Sequence, residues 1–253
     1  MDARLKDKVA IVTGGARGIG AAFCEGLAAA GAKVVVSDVL DGNPVAERIA
    51  ETQKRALYLR ADVTSKPSVE KLVSDTVREF GTVDILVNNA GLFADLHTKP
   101  FQDISEEEWD RVMAVNVRGT FQCAKAVAPV MIENKKGRIV NIASGTAFKG
   151  TPHLLHYVAS KGAVVAMTRS RARELGAHNV CVNAIAPGLT MSEAVKVHPD
   201  WTGKASDAGI AARAIQREQV PADLLSTLIY LCSDESNFVT GQTISVDGGA
   251  LMR

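Results

Sequence analysis

The sequence has no long hydrophobic run. No apolar stretch approaches the ~18 residues of a membrane span, so no membrane helix is expected. Residues 1–8, Met-Asp-Ala-Arg-Leu-Lys-Asp-Lys, hold no apolar stretch ahead of the first strand, which predicts that an ordinary secretory signal is missing. Charge imbalance is missing too. Lys and Arg number 29 against 28 Asp and Glu, a net charge of +1, so nothing points to nucleic acid or an anionic membrane surface. Only four cysteines occur, Cys24, Cys123, Cys181 and Cys232, far apart and without a C-x-x-C pair. Each sits among apolar neighbours, which predicts buried, reduced thiols and a cytoplasmic location unless a targeting segment has been removed. His153 and His156 form an H-x-x-H pair, but no acidic or cysteine partner stands beside them, and no metal is expected. Linkers, repeats and low-complexity stretches are also lacking, which predicts one domain over residues 1–253.

What is present is alternation. Apolar residues make 47% of the chain, enough for a large single core at this length. Short β-rich runs at Val9–Thr13, Lys33–Ser37, Ala56–Arg60, Asp84–Val87, Gly137–Ile142, Val180–Ile185 and Thr243–Val246 read as strands. Between them, helical patterns cover Gly18–Ala30, Val45–Thr52, Ser68–Phe80, Glu106–Ile132, Tyr157–Gly176 and Ala222–Ser233. Strand–helix alternation predicts an α/β fold, an approximately seven-stranded parallel sheet doubly wound with helices on both faces. Thr190–Val220 breaks the rhythm with Pro199, Trp201, Gly203 and Gly209, and reads as a substrate lid.

Two constellations carry chemistry. The first follows the opening strand: Thr13-Gly14-Gly15-Ala16-Arg17-Gly18-Ile19-Gly20, then a helix, a strand and Asp38. Glycines let a backbone approach a pyrophosphate at a positively polarised helix N-terminus, and Asp38 is spaced to accept hydrogen bonds from an adenosine ribose. The second is Tyr157 and Lys161, four apart on one helix face, with Ser144 upstream at a strand end. A free phenol ionises near pH ~10. An ammonium at about 4 Å supplies roughly 4 kcal/mol at an effective dielectric of ~20, enough to make it an acid/base near neutrality. The Ser144 hydroxyl both donates and accepts, so it suits either an alcohol or a ketone oxygen.

With Asp62-Val63, Asn88-Asn89-Ala90-Gly91, Asn116 and Pro187-Gly188 added in order, the chain resembles the short-chain dehydrogenase/reductase family over essentially its whole length. The resemblance implies a Rossmann-like fold and a nicotinamide-dependent alcohol/carbonyl oxidoreductase. It implies cofactor contacts at Gly14, Arg17, Gly18, Ile19, Gly20, Asp38, Asp62, Val63, Asn89, Ala90, Gly91, Tyr157, Lys161, Pro187, Gly188 and Thr190. Asn88 would lie beside the adenosine ribose. Asp62 would meet adenine, or serve the start of the next helix. Thr190 would hold the carboxamide. The implied catalytic set is Asn116, Ser144, Tyr157 and Lys161, with protons passing from substrate through Tyr157, a ribose hydroxyl and Lys161 to a water held by Asn116; simple helix packing is the other reading of Asn116.

Asp38 welcomes ribose hydroxyls and repels a ribose phosphate, which favours NAD over NADP; Arg17 in the glycine turn is the counter-signal. Ser144, Thr146, Leu154, Tyr157 and Trp201 are expected to meet a small-molecule alcohol or ketone, in a pocket shared with Phe93, Gly145, Phe148, Leu155 and Leu189. His153 is a further candidate for substrate contact. Trp201 covers substrate or packs on a neighbouring subunit. The expected reaction interconverts a secondary alcohol and a ketone, the substrate aromatic or cyclic. The alternatives are an NADP(H)-dependent carbonyl or carrier-bound 3-oxoacyl reductase, and a non-catalytic NAD(H)-binding sensor. The apolar Ala163–Met167 stripe and Ala250-Leu251-Met252 predict a homotetramer.

Overall fold

The computed structural model describes residues 4–52 and 54–252. Strands β1 (Val9–Thr13), β2 (Lys33–Asp38), β3 (Ala56–Arg60), β4 (Ile85–Asn88), β5 (Gly137–Ile142), β6 (Val180–Pro187) and β7 (Thr243–Val246) form one sheet in the order β3-β2-β1-β4-β5-β6-β7. Every pairing is parallel. Strands β1, β4, β5 and β6 are buried along their whole length, as a sheet covered on both faces requires.

The two faces sort by alternation along each strand. Ala10 and Val12 of β1 pack with Phe23 and Leu27 of α1 (Gly18–Ala29) and with Leu228 and Leu231 of the last helix, Leu225–Cys232. Ile11 faces the other way, beside Val35 and Leu86, and meets Leu72 and Val73 of the helix Lys66–Phe80 and Val127 and Met131 of the helix Thr120–Glu133. Large apolar side chains of this kind contribute about 1.5–3 kcal/mol each when fully buried. All four cysteines are free and buried, and no described helix is long and apolar enough to cross a membrane.

The expected helix Glu106–Ile132 is interrupted. It runs as Glu106–Met113, a wide π-type turn over Ala114–Gly119, and then Thr120–Glu133. The wide turn contains Asn116, and π-type turns tend to mark functional sites. Within the Ala163–Met167 stripe, Val164 and Val165 are buried against Ala184 and Ala186 of the same chain, while Ala166 is exposed. Residues 190–220 hold short helical pieces, Glu193–Lys196, Pro199–Trp201 and Lys204–Ala211, closed at their base by a parallel bridge between Thr190 and Gln219.

Strand order reverses between β1 and β4, and the loops after these strands part there. Asn89 ties them, its Nδ2 donating to the carbonyls of Thr13 at 3.0 Å and Gly14 at 2.9 Å. Gly14 sits at φ +65°, a conformation open to glycine. A Cβ on Gly20 would lie 1.9 Å from the Gly14 oxygen and 2.6 Å from Asn89 Nδ2. Gly20→Ala is therefore expected to cost at least ~2 kcal/mol through overpacking. Thermal unfolding should show a Tm roughly 4–8 °C lower; an unchanged Tm would contradict the packing described.

Candidate active site

At the carboxyl ends of the strands, across the reversal of strand order, lies a cavity of about 730 Å³. Sheets of this type bind their ligands there. One end is the turn after β1. Gly18, Ile19 and Gly20 of the first turn of α1 line the cavity, and the cap residue Arg17 makes no side-chain cap bond. The amides at this helix start are thus open to an anion. Gly14, Asn89 and Ala90 line the same end.

Asp38 ends β2 at the cavity wall. Its Oδ2 accepts from the Ala16 amide and its Oδ1 from the Leu40 amide, both at 3.0 Å, which fixes the carboxylate. Arg17 reaches across the mouth to Asp95 at 3.5 Å. Asp62 and Val63 follow β3 and also line the cavity. Asp62 Oδ1 accepts from the amide and the hydroxyl of Thr64, so the carboxylate shapes the turn while its second oxygen is not used by that turn. Asn88 departs from expectation. Its amide donates to Asn141 Oδ1 at 2.8 Å and Asn141 donates to Thr168, a buried network behind the cavity wall. Consecutive residues at a strand end face opposite ways, so Asn89 meets the cavity and Asn88 does not.

The other end gathers the second constellation. Ser144, Tyr157 and Lys161 are all buried and all line the cavity. Ser144 follows β5; Tyr157 and Lys161 share the helix Leu155–Leu175. Thr146 donates to Ser144 Oγ from its amide at 3.2 Å and its hydroxyl at 3.0 Å, leaving the serine's own proton free to donate inward. Lys161 Nζ donates to the Ile142 carbonyl at 2.7 Å and lies 5.6 Å from the centre of the Tyr157 ring. The lysine is thus anchored to the backbone at the end of β5, beside the Tyr157 ring. Burial pushes Tyr157 up to about 12, against a hydrogen bond from Ser144 that pulls the other way. Burial also pulls Lys161 down to about 8.

Asn116, alone of the expected catalytic set, does not line the cavity. Its Oδ1 accepts from the Leu92 amide at 2.8 Å, and its Nδ2 donates to Ser160 Oγ at 3.0 Å. Ser160 in turn donates to the Tyr157 carbonyl at 2.7 Å. Gly91 fits between Asn116 and Lys161: a Cβ there would be 3.3 Å from Asn116 Oδ1 and 3.4 Å from Lys161 Nζ.

Pro187, Gly188 and Thr190 line the wall after β6, with the Thr190 hydroxyl donating to the Gly188 carbonyl at 3.1 Å. Thr146, Leu154, Phe93, Gly145 and Leu189 are present as expected, but Phe148 and Leu155 lie outside the lining. Trp201 is buried within its own chain, stacked on Phe93 at 4.8 Å; Phe93 meets Tyr157 at 5.0 Å. His153 is exposed and not in the lining, whereas His156 is fully buried and paired with Glu108 at 3.1 Å. Sequence reasoning missed Arg213, a buried lining residue whose guanidinium donates to the Leu189 carbonyl at 2.7 Å and the Arg217 carbonyl at 2.6 Å. Ser192 was missed too; it packs against Gly18, where a Cβ would be 3.3 Å from its own.

A glycine cradle at an open helix start, a fixed carboxylate at the end of β2 and a buried Tyr-Lys pair make a fitting site for a nicotinamide dinucleotide. They define a dinucleotide-binding oxidoreductase of α/β architecture. The family described as Enoyl-(Acyl carrier protein) reductase matches residues 14–250. A 3-oxoacyl-[acyl-carrier-protein] reductase of Thermotoga maritima is 35% identical over 98% of this chain and 100% of its own length. A galactitol 2-dehydrogenase of Agrobacterium fabrum is 38% identical, covering 98% and 99% respectively. Among solved structures, a Sinorhizobium meliloti protein described as a short-chain alcohol dehydrogenase matches with a TM-score of 0.91 at 33% identity, over 97% of each chain. The chain belongs to the short-chain dehydrogenase/reductase family and is an oxidoreductase of the kind that uses NAD or NADP.

The buried lysine makes stability depend on pH. Above about pH 8 Lys161 is neutral in the native protein, while the unfolded chain keeps that proton to about 10.5. The unfolded state binds more protons in this window, so Lys161 makes stability rise with pH there, by ~3 kcal/mol in all. Denaturant titrations should show that Lys161→Met removes this rise; identical slopes in the two proteins would contradict the burial of a titrating amine.

Proposed function

We propose that this enzyme interconverts a secondary alcohol and a ketone with NAD as its partner, on a cyclic or aromatic substrate. The observation that carries the reading is one cavity joining the glycine turn and Asp38 at one end to buried Ser144, Tyr157 and Lys161 at the other. The nicotinamide supplies the hydride acceptor or donor when bound. Ser144, with both Thr146 donors on its oxygen, keeps its proton, donates a hydrogen bond to the substrate oxygen and orients it. Tyr157 is held protonated near neutral pH and so donates to the ketone oxygen in reduction. Lys161, titrating near 8, exchanges protons in the working range and returns them to the tyrosine in reduction or takes them away in oxidation. Asn116 acts by position. It fastens the Leu92 loop and, through Ser160, the turn that bears Tyr157.

Aromatic lining beside Tyr157, from Phe93 and the Trp201 stacked on it, favours a planar or cyclic substrate. Residues 190–220 act as the lid, with Trp201 as its inner surface. Exposed Phe101, Phe121, Leu155 and Met252 supply apolar surface for the homotetramer of this reading. The competing reading is reduction of a carrier-bound 3-oxoacyl thioester, favoured by the Thermotoga maritima relative. Side-by-side assays with a 3-oxoacyl thioester and cyclic ketones separate the two.

Cofactor choice rests on Asp38, whose fixed carboxylate repels a ribose phosphate. Steady-state kinetics should favour NAD over NADP by at least ~10-fold in kcat/KM, roughly 1.4 kcal/mol; parity or an NADP preference would refute the assignment. For the chemistry, Tyr157→Phe should lower turnover by ~10²–10⁴-fold while NADH affinity stays nearly unchanged. A variant that turns over normally would remove Tyr157 from the reaction. Trp201→Ala should raise KM or shift substrate preference with NADH affinity within about threefold, and unchanged kinetics across cyclic and aryl substrates would remove it from the lid.

A further inference from the structure

Outside the cavity, the lid and the loop after β4 bring three metal-binding side chains together. His198 and Asp200 stand on the lid and His97 on the loop that carries Phe93. One ligand atom of each lies within 4.8 Å of the other two. We propose that His97, His198 and Asp200 bind a divalent cation of the zinc class, and that the ion pins the lid to this loop.

The geometry suits such an ion. A tetrahedral ion with bonds of about 2.1 Å separates neighbouring ligand atoms by about 3.4 Å. His97 Nδ1 and Asp200 Oδ2 are 3.4 Å apart. The imidazole rings of His97 and His198 lie 4.8 Å apart, centre to centre. Asp200 is oriented as metal-binding carboxylates are, its Oδ2 accepting from the Thr98 amide at 2.9 Å. His198 is held only by a long bond, its Nδ1 accepting from the Asp200 amide at 3.2 Å, and its Nε2 is buried with no partner. Coordination exchanges that one amide bond for a metal bond. Two imidazoles and one carboxylate select zinc, cobalt, nickel or copper over magnesium or calcium, with a fourth position for water.

Location gives the site its consequence. The His198 ring lies 5.8 Å from Trp201, which stacks on Phe93, which meets Tyr157. An ion shared by His97, His198 and Asp200 therefore links both sides of the aromatic stack at its outer edge. The metal site stands independently of the proposed reaction; only the effect on the lid rests on that reading.

The test uses full-length protein without an affinity tag, stripped of metal with a chelator. Calorimetric titration with Zn²⁺ at neutral pH is expected to show one ion per chain, and Co²⁺ to give a visible absorption band of a nitrogen–oxygen site. His97→Ala, at an exposed position, and Asp200→Asn, which keeps an oxygen for the Thr98 amide, should each weaken Zn²⁺ at least ~10-fold with an unchanged circular-dichroism spectrum. Zn²⁺ should slow proteolysis within residues 190–220 in the parent and not in His97→Ala. Failure to saturate at one ion per chain, or equal affinity in His97→Ala, overturns the site. Binding without protection from proteolysis overturns the pinning.

Discussion

Asn89 holds the molecule's central division in place. A parallel sheet whose strand order reverses leaves two loops that diverge, and the backbone of each must still find partners. Asn89 Nδ2 takes the carbonyls of Thr13 and Gly14, and the Thr13 hydroxyl accepts from the Asn89 and Ala90 amides at 3.2 and 3.1 Å. The end of β4 and the turn after β1 are thereby locked at a fixed separation. Gly14 and Gly20 accept this closeness because neither carries a Cβ. The open helix start, the Asp38 carboxylate and the cavity floor all take their positions from this joint.

The opposite end of the cavity is governed by exclusion of water. Tyr157 and Lys161 are both buried, and desolvation moves their proton affinities apart, up to about 12 and down to about 8. Each group is driven toward its neutral form, so the resting site favours a neutral phenol and amine over a standing ion pair. Residues 190–220 contribute to the burial of the site. Phe93 packs on the phenol ring and Trp201 stacks on Phe93, while Arg213 donates to the Leu189 carbonyl after β6. Donating to the Arg217 carbonyl as well, this buried guanidinium ties the end of residues 190–220 to the loop that follows β6.

The sheet was readable in the sequence because its strands are short, continuous apolar runs bounded by turn residues. Four of the seven, Val9–Thr13, Ala56–Arg60, Gly137–Ile142 and Thr243–Val246, agree with their expected limits. The helix through Asn116 was read as continuous because a single wide turn leaves the apolar periodicity on either side almost unchanged. The short helices of 190–220 were invisible, since four residues such as Glu193–Lys196 span barely one turn and carry no period. The Asn88-Asn89 pair shows a finer limit: composition announces a turn, but only the strand register decides which amide faces inward. Spacing brought Lys161 toward Tyr157 correctly, yet desolvation, set by every element around the cavity, outweighs the pairwise charge effect that spacing suggests.

The most direct measurement is hydride transfer itself. Secondary alcohols bearing deuterium on the carbinol carbon, drawn from cyclic, aryl and polyol classes, are incubated with the enzyme and NAD, and the reduced cofactor is analysed by mass spectrometry. The account predicts that at least one cyclic or aryl alcohol delivers a single deuterium to the nicotinamide ring and leaves as its ketone. Reduced cofactor without deuterium, or no reduced cofactor from any member of the panel, would contradict it.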